Sequence, residues 1–253
     1  MTEAPSGVLP IDKPLGWTSF DVVAVARRAL GAKRVGHGGT LDPLATGVLP
    51  LLVGSATKFA DRLHTASKVY AAIVTFGRET ATDDREGATT READVPALSR
   101  DELEALLEAF RGPQAQVPPA YAAVKVDGRR AYARARSGET VELAARAVTV
   151  ERLAIASWDR PDLRLLVVCS TGTYIRSLAR DIGRAAGSAA HLGGLRRLAV
   201  GALTIDDAQT VETLRGTPDA ARLIEADDRI LPLAERFREA PAAELLSTWG
   251  RSE

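Results

Sequence analysis

Two side chains that could do chemistry, His37 and Asp42, lie in a run made mostly of glycine, apolar and small residues. The run, residues 34–54, reads RVGHGGTLDPLATGVLPLLVG. Pro43 favours an extended backbone at Asp42, which turns the carboxylate out of any helix. The run lacks the Lys-Ser/Thr pair of a phosphate-binding P-loop and the spacing of a dinucleotide-binding fingerprint. Asp42 is therefore either a turn-forming residue or a reagent, and composition alone leaves both open.

A carboxylate in apolar surroundings must be paired with a cation or it takes up a proton. We expect the partner to be Arg176, in the stretch CSTGTYIRSLARDIG, where a helix follows a strand and a glycine turn. The alternative is that Arg176 only caps or decorates that helix. The two residues are far apart in the chain, so spacing does not decide between these readings.

Three further side chains have both a structural and a functional interpretation. Tyr70 and Tyr174 adjoin apolar residues, so each is either a core residue or part of a site. His37 stands in a predicted glycine loop beside basic residues, where exposure is expected more than burial. From the residues alone, a ligand contact by His37 is one of two open readings.

The elements that must position these residues alternate between strands and helices. Thr18 or Ser19 is expected to cap a first helix ending at Gly31, and Ser99 with Glu102 has the pattern of a capping box. Strands outnumber helices and are often neighbours, which predicts an α+β fold with a mixed, mainly antiparallel central sheet flanked by helices and loops. Apolar or alternating runs predict strands at the start of VLPIDKPLGWTS and in VLPLLVG, KVYAAIVTFG, AVTVERLAIASWD, DLRLLVVCS and LRRLAVGALTI. YAAVKVDGRRAY predicts a strand, an Asp-Gly turn and a helix; residues 33–47 and the polar stretch 78–92 are predicted loops.

The composition is that of an ordinary globular protein. The chain has 253 residues, 45% of them hydrophobic, and no net formal charge. Its one cysteine, Cys169, cannot form an internal disulfide and is expected in a buried strand. No metal-ligand spacing, signal peptide or apolar run of about 20 residues is visible, so we expect a cytoplasmic protein.

Basic residues are clustered although the net charge is zero. The planar fork of arginine suits phosphate contacts, whereas an arginine-rich composition also follows from high-GC coding. These two explanations remain open. The clusters are Arg27, Arg28, Lys33 and Arg34, then Arg129, Arg130, Arg134 and Arg136, then Arg196 and Arg197.

Six blocks in register resemble the TruB family of tRNA pseudouridine synthases. They cover about residues 8–201 and include the core Gly-Thr-Leu-Asp-Pro sequence that ends at Pro43. The blocks are IDKPLGWTS, RVGHGGTLDPLATGVLP with ATKF, KVYAAIVTFGRETATDDREG, QVPPAYAAVKVDGRRAYARARSG, CSTGTYIRSLARDIG and HLGGLRRLAVG.

The resemblance implies an isomerase that converts uridine 55 in the T-loop of tRNA to pseudouridine, without metal or cofactor. It implies Asp42 as the nucleophile, with Arg176 keeping it ionised and Tyr70 stacking on the uracil. The carboxylate attacks C6 or C1′, or removes the C2′ proton, and the sequence does not choose among these routes. In the substrate pocket, Tyr174 packs on the base or ribose and Leu195 forms an apolar wall.

The same resemblance implies how the RNA is held. The target base must be flipped out of its stack, and His37 is expected to occupy the vacated space. Recognition should depend on the shape of the T-arm more than on base sequence. Lys13 and Pro14 are expected to support the active-site loop, and Tyr121 and Lys125 to be structural or RNA-contact residues. The residues expected to contact the RNA backbone are Lys33, Arg34, Arg129, Arg130 and Arg196.

We predict a catalytic domain over residues 1–205 and a C-terminal extension over 206–253, helical or irregular, in which a PUA-like RNA-binding module is absent or much reduced. The protein is expected to act as a monomer without an obligatory protein partner.

One alternative is a tRNA-binding folding chaperone that does not need catalysis. A glycosidase would need two carboxylates flanking the bond, and only Asp42 lies in the glycine-rich run. An RNA-guided synthase would rely on partner proteins.

Overall fold

A computed structural model describes residues 5–121, 125–126, 129–130, 143–218, 221–247 and 249. It confirms the predicted fold class, an α+β fold whose central sheet is mainly antiparallel. The chain forms two compact units. The first unit comprises the described residues of 5–71, 195–241 and 245–249, and the second those of 72–194 and 242–244.

Strands and helices follow one another along the whole described chain. The strands are β1 (Gly7–Lys13), β2 (Val35–His37), β3 (Ala45–Val53), β4 (Lys68–Phe76), β5 (Arg78–Thr80), β6 (Thr89–Glu92), β7 (Gly112–Gln116), β8 (Lys125–Val126), β9 (Arg129–Arg130), β10 (Arg146–Asp159), β11 (Asp162–Cys169), β12 (Ala190–Val200), β13 (Leu203–Thr204) and β14 (Gln209–Thr210). The described helices are α1 (Ser19–Ala29), α2 (Ala60–Thr65), α3 (Arg100–Leu107), α4 (Ile175–Ala185), α5 (Val211–Gly216), α6 (Arg236–Glu239) and α7 (Ala242–Leu245). Short 3₁₀ turns lie at Gly54–Phe59, Glu108–Phe110, Ile205–Asp207 and Asp228–Ile230. None of these helices is long and apolar enough to cross a membrane.

In the first unit, β3 is the central strand because all nine of its residues are buried, as expected for an apolar run with neighbours on both sides. β1 pairs with it in antiparallel register from Gly7↔Val53 to Lys13↔Gly47, and β12 pairs with it in parallel register at Leu195↔Ala45. Gly47 has a φ of +100°, and an added Cβ would lie 2.1 Å from the Arg197 carbonyl oxygen. Only glycine permits this close approach of the two strands.

The helices begin where the capping residues predict. Thr18 caps α1 in a capping box with Asp21, and Ser99 caps α3 in a capping box with Glu102, which confirms both predictions. The last turn of α1 is followed by Gly31 in a left-handed conformation. The N-termini of both helices are therefore determined by local side-chain chemistry.

The second unit is built on a long antiparallel hairpin. β10 and β11 pair from Val150↔Cys169 to Asp159↔Asp162, and β7 pairs with the start of β10. Cys169 is fully buried in β11, as the sequence predicts. β8 and β9 pair at Lys125↔Arg130 and Val126↔Arg129. The helix predicted after the Asp-Gly turn, within residues 129–132, is wrong at Arg129 and Arg130, which form β9; residues 131 and 132 lie outside the described residues.

Two predicted loops are wrong in part. Val35–His37 forms β2, which pairs with β3, and the polar stretch 78–92 contains the paired strands β5 and β6. Asp83 and Asp84, between those strands, are buried. Polar composition suggested a loop in water, whereas arginines elsewhere in the unit pair with these acids and allow their burial.

The segment after residue 205 consists of short helices, turns and one two-residue strand, and most of it belongs to the first unit. β14 extends the sheet of that unit by parallel pairing at Ile11↔Gln209. The predicted division at residues 205 and 206 stays a prediction.

Candidate active site

Asp42 lies half-buried in the loop between β2 and β3, between the buried Leu41 and the exposed Pro43. Its carbonyl oxygen accepts a hydrogen bond from the Ala45 amide at 3.0 Å, which closes a turn. The buried Ser19 hydroxyl accepts from the Leu41 amide at 2.9 Å and donates to the Leu41 carbonyl at 3.1 Å. The backbone next to Asp42 is thus fixed to the first turn of α1.

Arg197 fixes the other end of the same loop. This guanidinium is 1% exposed, and it donates to the carbonyl oxygens of Gly39 at 3.0 Å, Thr40 at 3.3 Å and Val48 at 2.7 Å. A fork of five N–H donors suits three convergent carbonyls. Arg197 belongs to a basic cluster of the sequence for which phosphate contact was one explanation; because its guanidinium is buried and donates to three carbonyl groups, it is not exposed for such a contact.

Lys13 is a second buried cation at this loop. Its Nζ donates to the carbonyl oxygens of Trp17 at 2.7 Å, Pro14 at 2.9 Å and Pro43 at 3.5 Å. Burial lowers the pKa of Lys13 to about 8, although the charge of Asp42 acts in the opposite direction. Lys13 supports the loop, as the sequence analysis expected, and brings positive charge near the Asp42 carboxylate.

His37, the last residue of β2, is half-buried, and its Nδ1 accepts from the Gly39 amide at 3.4 Å. Burial lowers its pKa, and the positive charges of His64 and Arg197 act in the same direction. The imidazole is therefore neutral at pH 7. Its ring centroid lies 5.7 Å from that of Phe20, with the two rings at 78° to each other.

Two further predicted pocket residues are in the first unit. Tyr70 lies in β4 and Leu195 in β12, and each is 9% exposed. Leu195 pairs with Ala45, three residues after Asp42. The first unit therefore holds four of the predicted site residues, His37, Asp42, Tyr70 and Leu195.

Arg176 and Tyr174 lie in the second unit, at the start of α4. Arg176 is the second residue of the helix and lies in its first turn. It is 7% exposed and donates to the carbonyl oxygens of Thr82 at 3.1 Å and Tyr121 at 3.3 Å. Tyr174 precedes the helix, and its backbone amide donates to Gln116 Oε1 at 2.8 Å.

Two acids that the sequence analysis did not select organise this helix start. Asp84 lies 3.6 Å from the Arg176 guanidinium, and Asp83 accepts from Arg180 at 2.7 Å. Asp83 has a φ of +60°, and burial raises its pKa although Arg180 opposes the shift. The missed signal was the spacing of Arg176, Arg180 and Arg184, which places three arginines on one helix face.

A third acid of the same hairpin binds the last of these arginines. Arg184 donates to both carboxylate oxygens of Glu79, and Arg91 donates to one of them at 2.6 Å. The hydrogen bonds from Arg184 are the main cause of the low pKa of Glu79, which is about 2. The α4 helix is thus tied to β5 and β6 by charge pairs.

The predicted pairing of Asp42 with Arg176 stays a prediction, because the two residues belong to different units. Lys33 and Arg34 are exposed, as a phosphate contact requires. Arg196 donates to Asp12 at 2.7 Å and to Thr46 at 3.1 Å, so its guanidinium already has protein partners. Arg129 and Arg130 form β9, but their side chains lie outside the described residues, as do Arg134, Arg136 and the side chain of Lys125.

Comparison with known proteins adds independent findings. Residues 27–175 match the family model described as "TruB family pseudouridylate synthase (N terminal domain)", and residues 176–235 match "tRNA pseudouridylate synthase B C-terminal domain". The chain is 48% identical over 220 residues to tRNA pseudouridine synthase B of Ralstonia nicotianae, covering 85% of this chain and 70% of that one. It is 44% identical over 237 residues to the protein of the same name from Arthrobacter sp., covering 91% and 77%.

A solved structure also resembles the chain. The structure described as a Cbf5-Nop10-Gar1 complex matches with a TM-score of 0.66 and 30% identity over 84% of this chain. The chain spans about half of that solved chain, 54% of its length.

Proposed function

Because this chain belongs to the TruB family of pseudouridylate synthases, we propose that it isomerises a uridine of tRNA to pseudouridine. We further propose that the target is uridine 55 in the T-loop. The observation that carries the proposal is Asp42, whose neighbours Leu41 and Pro43 are both held by hydrogen bonds, in a loop that lies inside the matched family region. Relatives named tRNA pseudouridine synthase B support the choice of tRNA.

The proposed reaction rearranges one base. The C1′–N1 glycosidic bond breaks, the uracil turns, a C1′–C5 bond forms, and the proton on C5 leaves while N1 gains one. Asp42 would be the nucleophile, acting at C6 or C1′, or would take the C2′ proton. Lys13 lies close enough to Asp42 for the charges of the two groups to attract each other.

The remaining site residues take positioning and binding roles in this proposal. Arg176 would pair with Asp42 during the reaction, and Asp84, 3.6 Å from its guanidinium, would hold Arg176 in orientation. Tyr70 would stack on the uracil and help to remove the C5 proton. Leu195 and Tyr174 would enclose the base.

RNA binding in this proposal begins with base flipping. His37 would fill the space left by the everted uridine, and its neutral imidazole carries no charge to be desolvated there. The exposed Lys33 and Arg34, with Arg129 and Arg130, would contact phosphates.

We also propose that the protein acts alone, as a monomer, in the cytoplasm. Sedimentation with and without tRNA tests the monomer directly.

The test uses an unmodified T-arm RNA labelled with tritium at C5 of its uridines, because pseudouridine formation releases that label. We expect release by the unmutated protein and none when uridine 55 is replaced by cytidine. Asp42→Asn should lower the rate at least about 1,000-fold while RNA binding is retained. The exposed Asp61→Asn, in the same unit, is the matched control and should release label normally.

Each outcome has one meaning. No release by the unmutated protein rejects the enzyme, and binding without conversion favours the tRNA chaperone instead. Normal release by Asp42→Asn rejects the nucleophile but not the reaction.

A further inference from the structure

Phe20 is an exposed aromatic side chain that contributes little to the packing of α1. It lies in the first turn of α1 and is 69% exposed, whereas the helix packs through Val22, Val23 and Ala26. Its ring meets the half-buried His37 ring edge to face, with centroids 5.7 Å apart. A T-shaped pair of this kind leaves most of the exposed phenyl face open.

The position of Phe20 is fixed relative to the Asp42 loop. Its neighbour Ser19 makes two hydrogen bonds with Leu41, next to Asp42 in the chain. The capping box of Thr18 and Asp21 fixes the first turn of the helix. An aromatic ring on such a rigid support binds without a large loss of conformational freedom.

Exposed basic residues lie on α1 and in the segment between α1 and β2. Arg27 is seven residues further along α1, so it lies on the same helix face as Phe20, and it is exposed. Lys33 and Arg34, between α1 and β2, are exposed as well. Exposed aromatic rings beside basic side chains are the arrangement that holds unstacked nucleobases, because the rings stack on bases while the cations meet phosphates.

We propose that the Phe20 ring, held by its edge-to-face contact with His37, forms an aromatic platform that stacks a nucleobase of the RNA substrate other than the uridine that reacts. The platform rests on the proposed function, since it needs an RNA loop with at least one further unstacked base. Phe20 is a binding residue in this proposal and takes no part in bond making.

Binding is measured first, with a T-arm RNA and the Asp42→Asn protein so that the RNA is not converted. Phe20→Leu keeps apolar bulk but loses the aromatic face, and we expect Kd to rise about 10-fold, within the range known for base–aromatic stacking. Phe20→Tyr keeps the face and should bind within about 2-fold of the parent. Equal binding by Phe20→Leu and the parent overturns the platform.

A cross-linking experiment separates stacking from a purely structural role. T-arm RNAs with one 5-iodopyrimidine at each loop position other than 55 are irradiated with the protein, and the attached peptide is identified by mass spectrometry. One loop position should attach to Phe20, and Phe20→Leu should remove that product. If Phe20 only orients His37, cross-links will form at His37 alone, which also overturns the proposal.

Steady-state kinetics distinguish a failure of the platform from a failure of the proposed reaction. In the Asp42-intact protein, Phe20→Leu should raise KM for the RNA and leave kcat nearly unchanged, with an unaltered melting temperature because the ring is exposed. If the unmutated protein makes no pseudouridine but Phe20→Leu still weakens binding, the reaction is wrong and the platform stands. If pseudouridine forms and Phe20→Leu behaves like the parent, the reaction stands and the platform is wrong.

Discussion

Buried cations have different kinds of partner in the two units. In the first unit, Lys13 and Arg197 bond to backbone carbonyl oxygens near Asp42. In the second unit, Arg176 and Arg180 face the buried carboxylates Asp84 and Asp83. A carbonyl oxygen satisfies a cation's hydrogen bonds without cancelling its charge, whereas a carboxylate does both.

This difference in hydrogen-bond partners changes the electrostatic environment that each region offers to a reaction. In the loop around Asp42, the hydrogen bonds of Lys13 and Arg197 go to neutral carbonyl oxygens and fix the backbone. The start of α4 is electrically balanced, so its arginines gain a fixed orientation at a low cost of burial. The four predictions below test this comparison, from the largest expected effect to the smallest.

Arg197→Met should lower the free energy of unfolding by about 4 kcal/mol, because three buried carbonyl oxygens lose a charged donor. Arg197→Lys should recover less than half of the loss, since one ammonium cannot match the fork. Urea unfolding measures both, with the exposed Arg27→Met as control. A loss below about 1 kcal/mol would show that carbonyl bonding does not hold the loop.

Arg180→Met should cost about 3 kcal/mol, because it leaves the Asp83 carboxylate buried without its partner at 2.7 Å. Adding Asp83→Asn should restore at least about 1 kcal/mol, since the uncompensated charge is then removed. The double-mutant cycle is read from the same urea curves. If the losses of unfolding free energy from the two single substitutions simply add in the double mutant, the Arg180 and Asp83 charges do not stabilise each other.

Glu79→Gln should lower the free energy of unfolding by about 2 kcal/mol at pH 7, a value reduced because Arg91 and Arg184 are partly exposed. The folded-state pKa of Glu79 is about 2, below its ordinary value of 4.5. Its stabilisation is therefore complete above pH 4.5 and is lost as the pH falls towards 2. Unfolding curves across this interval should converge for the two proteins, and the exposed Glu212→Gln should show no such convergence.

Arg196→Met should have the smallest effect, about 1 kcal/mol, because its ion pair with Asp12 is partly open to water. With its guanidinium already held by Asp12 and Thr46, we expect KM for tRNA to change less than about 2-fold. A larger rise in KM, together with a smaller salt dependence of binding, would instead support the phosphate contact predicted from the sequence.

Much of the fold follows from local patterns. The apolar part of β3 from Val48 to Val53, the capping boxes at Thr18 and Ser99, and the strands of the β10–β11 hairpin were all predictable, because their signals lie within a few residues. The first three residues of β3, Ala45–Gly47, had been predicted as loop. β2 and the β5–β6 hairpin were missed. Glycine-rich or polar residues form strands there because distant partners supply their hydrogen bonds and charges.

The same limit applies to the candidate site. Asp42 and His37 were predicted because a glycine-rich run contains few side chains that can act in catalysis. Arg176 was predicted because an acid in apolar surroundings needs a cation. Asp83 and Asp84 were hidden in a polar stretch that resembles a solvated loop. Arg197 resembled a surface arginine, since nothing in its neighbourhood of the sequence indicates burial.

The sequence by itself determined where the two capped helices start and which acid is the reagent candidate, because each depends on neighbours along the chain. Only the tertiary structure decided which oxygen atoms meet each buried cation. Arg197 bonds to Gly39 across 158 residues, and Arg180 bonds to Asp83 across 97. Contacts over such distances depend on strand order and packing, which no local pattern encodes.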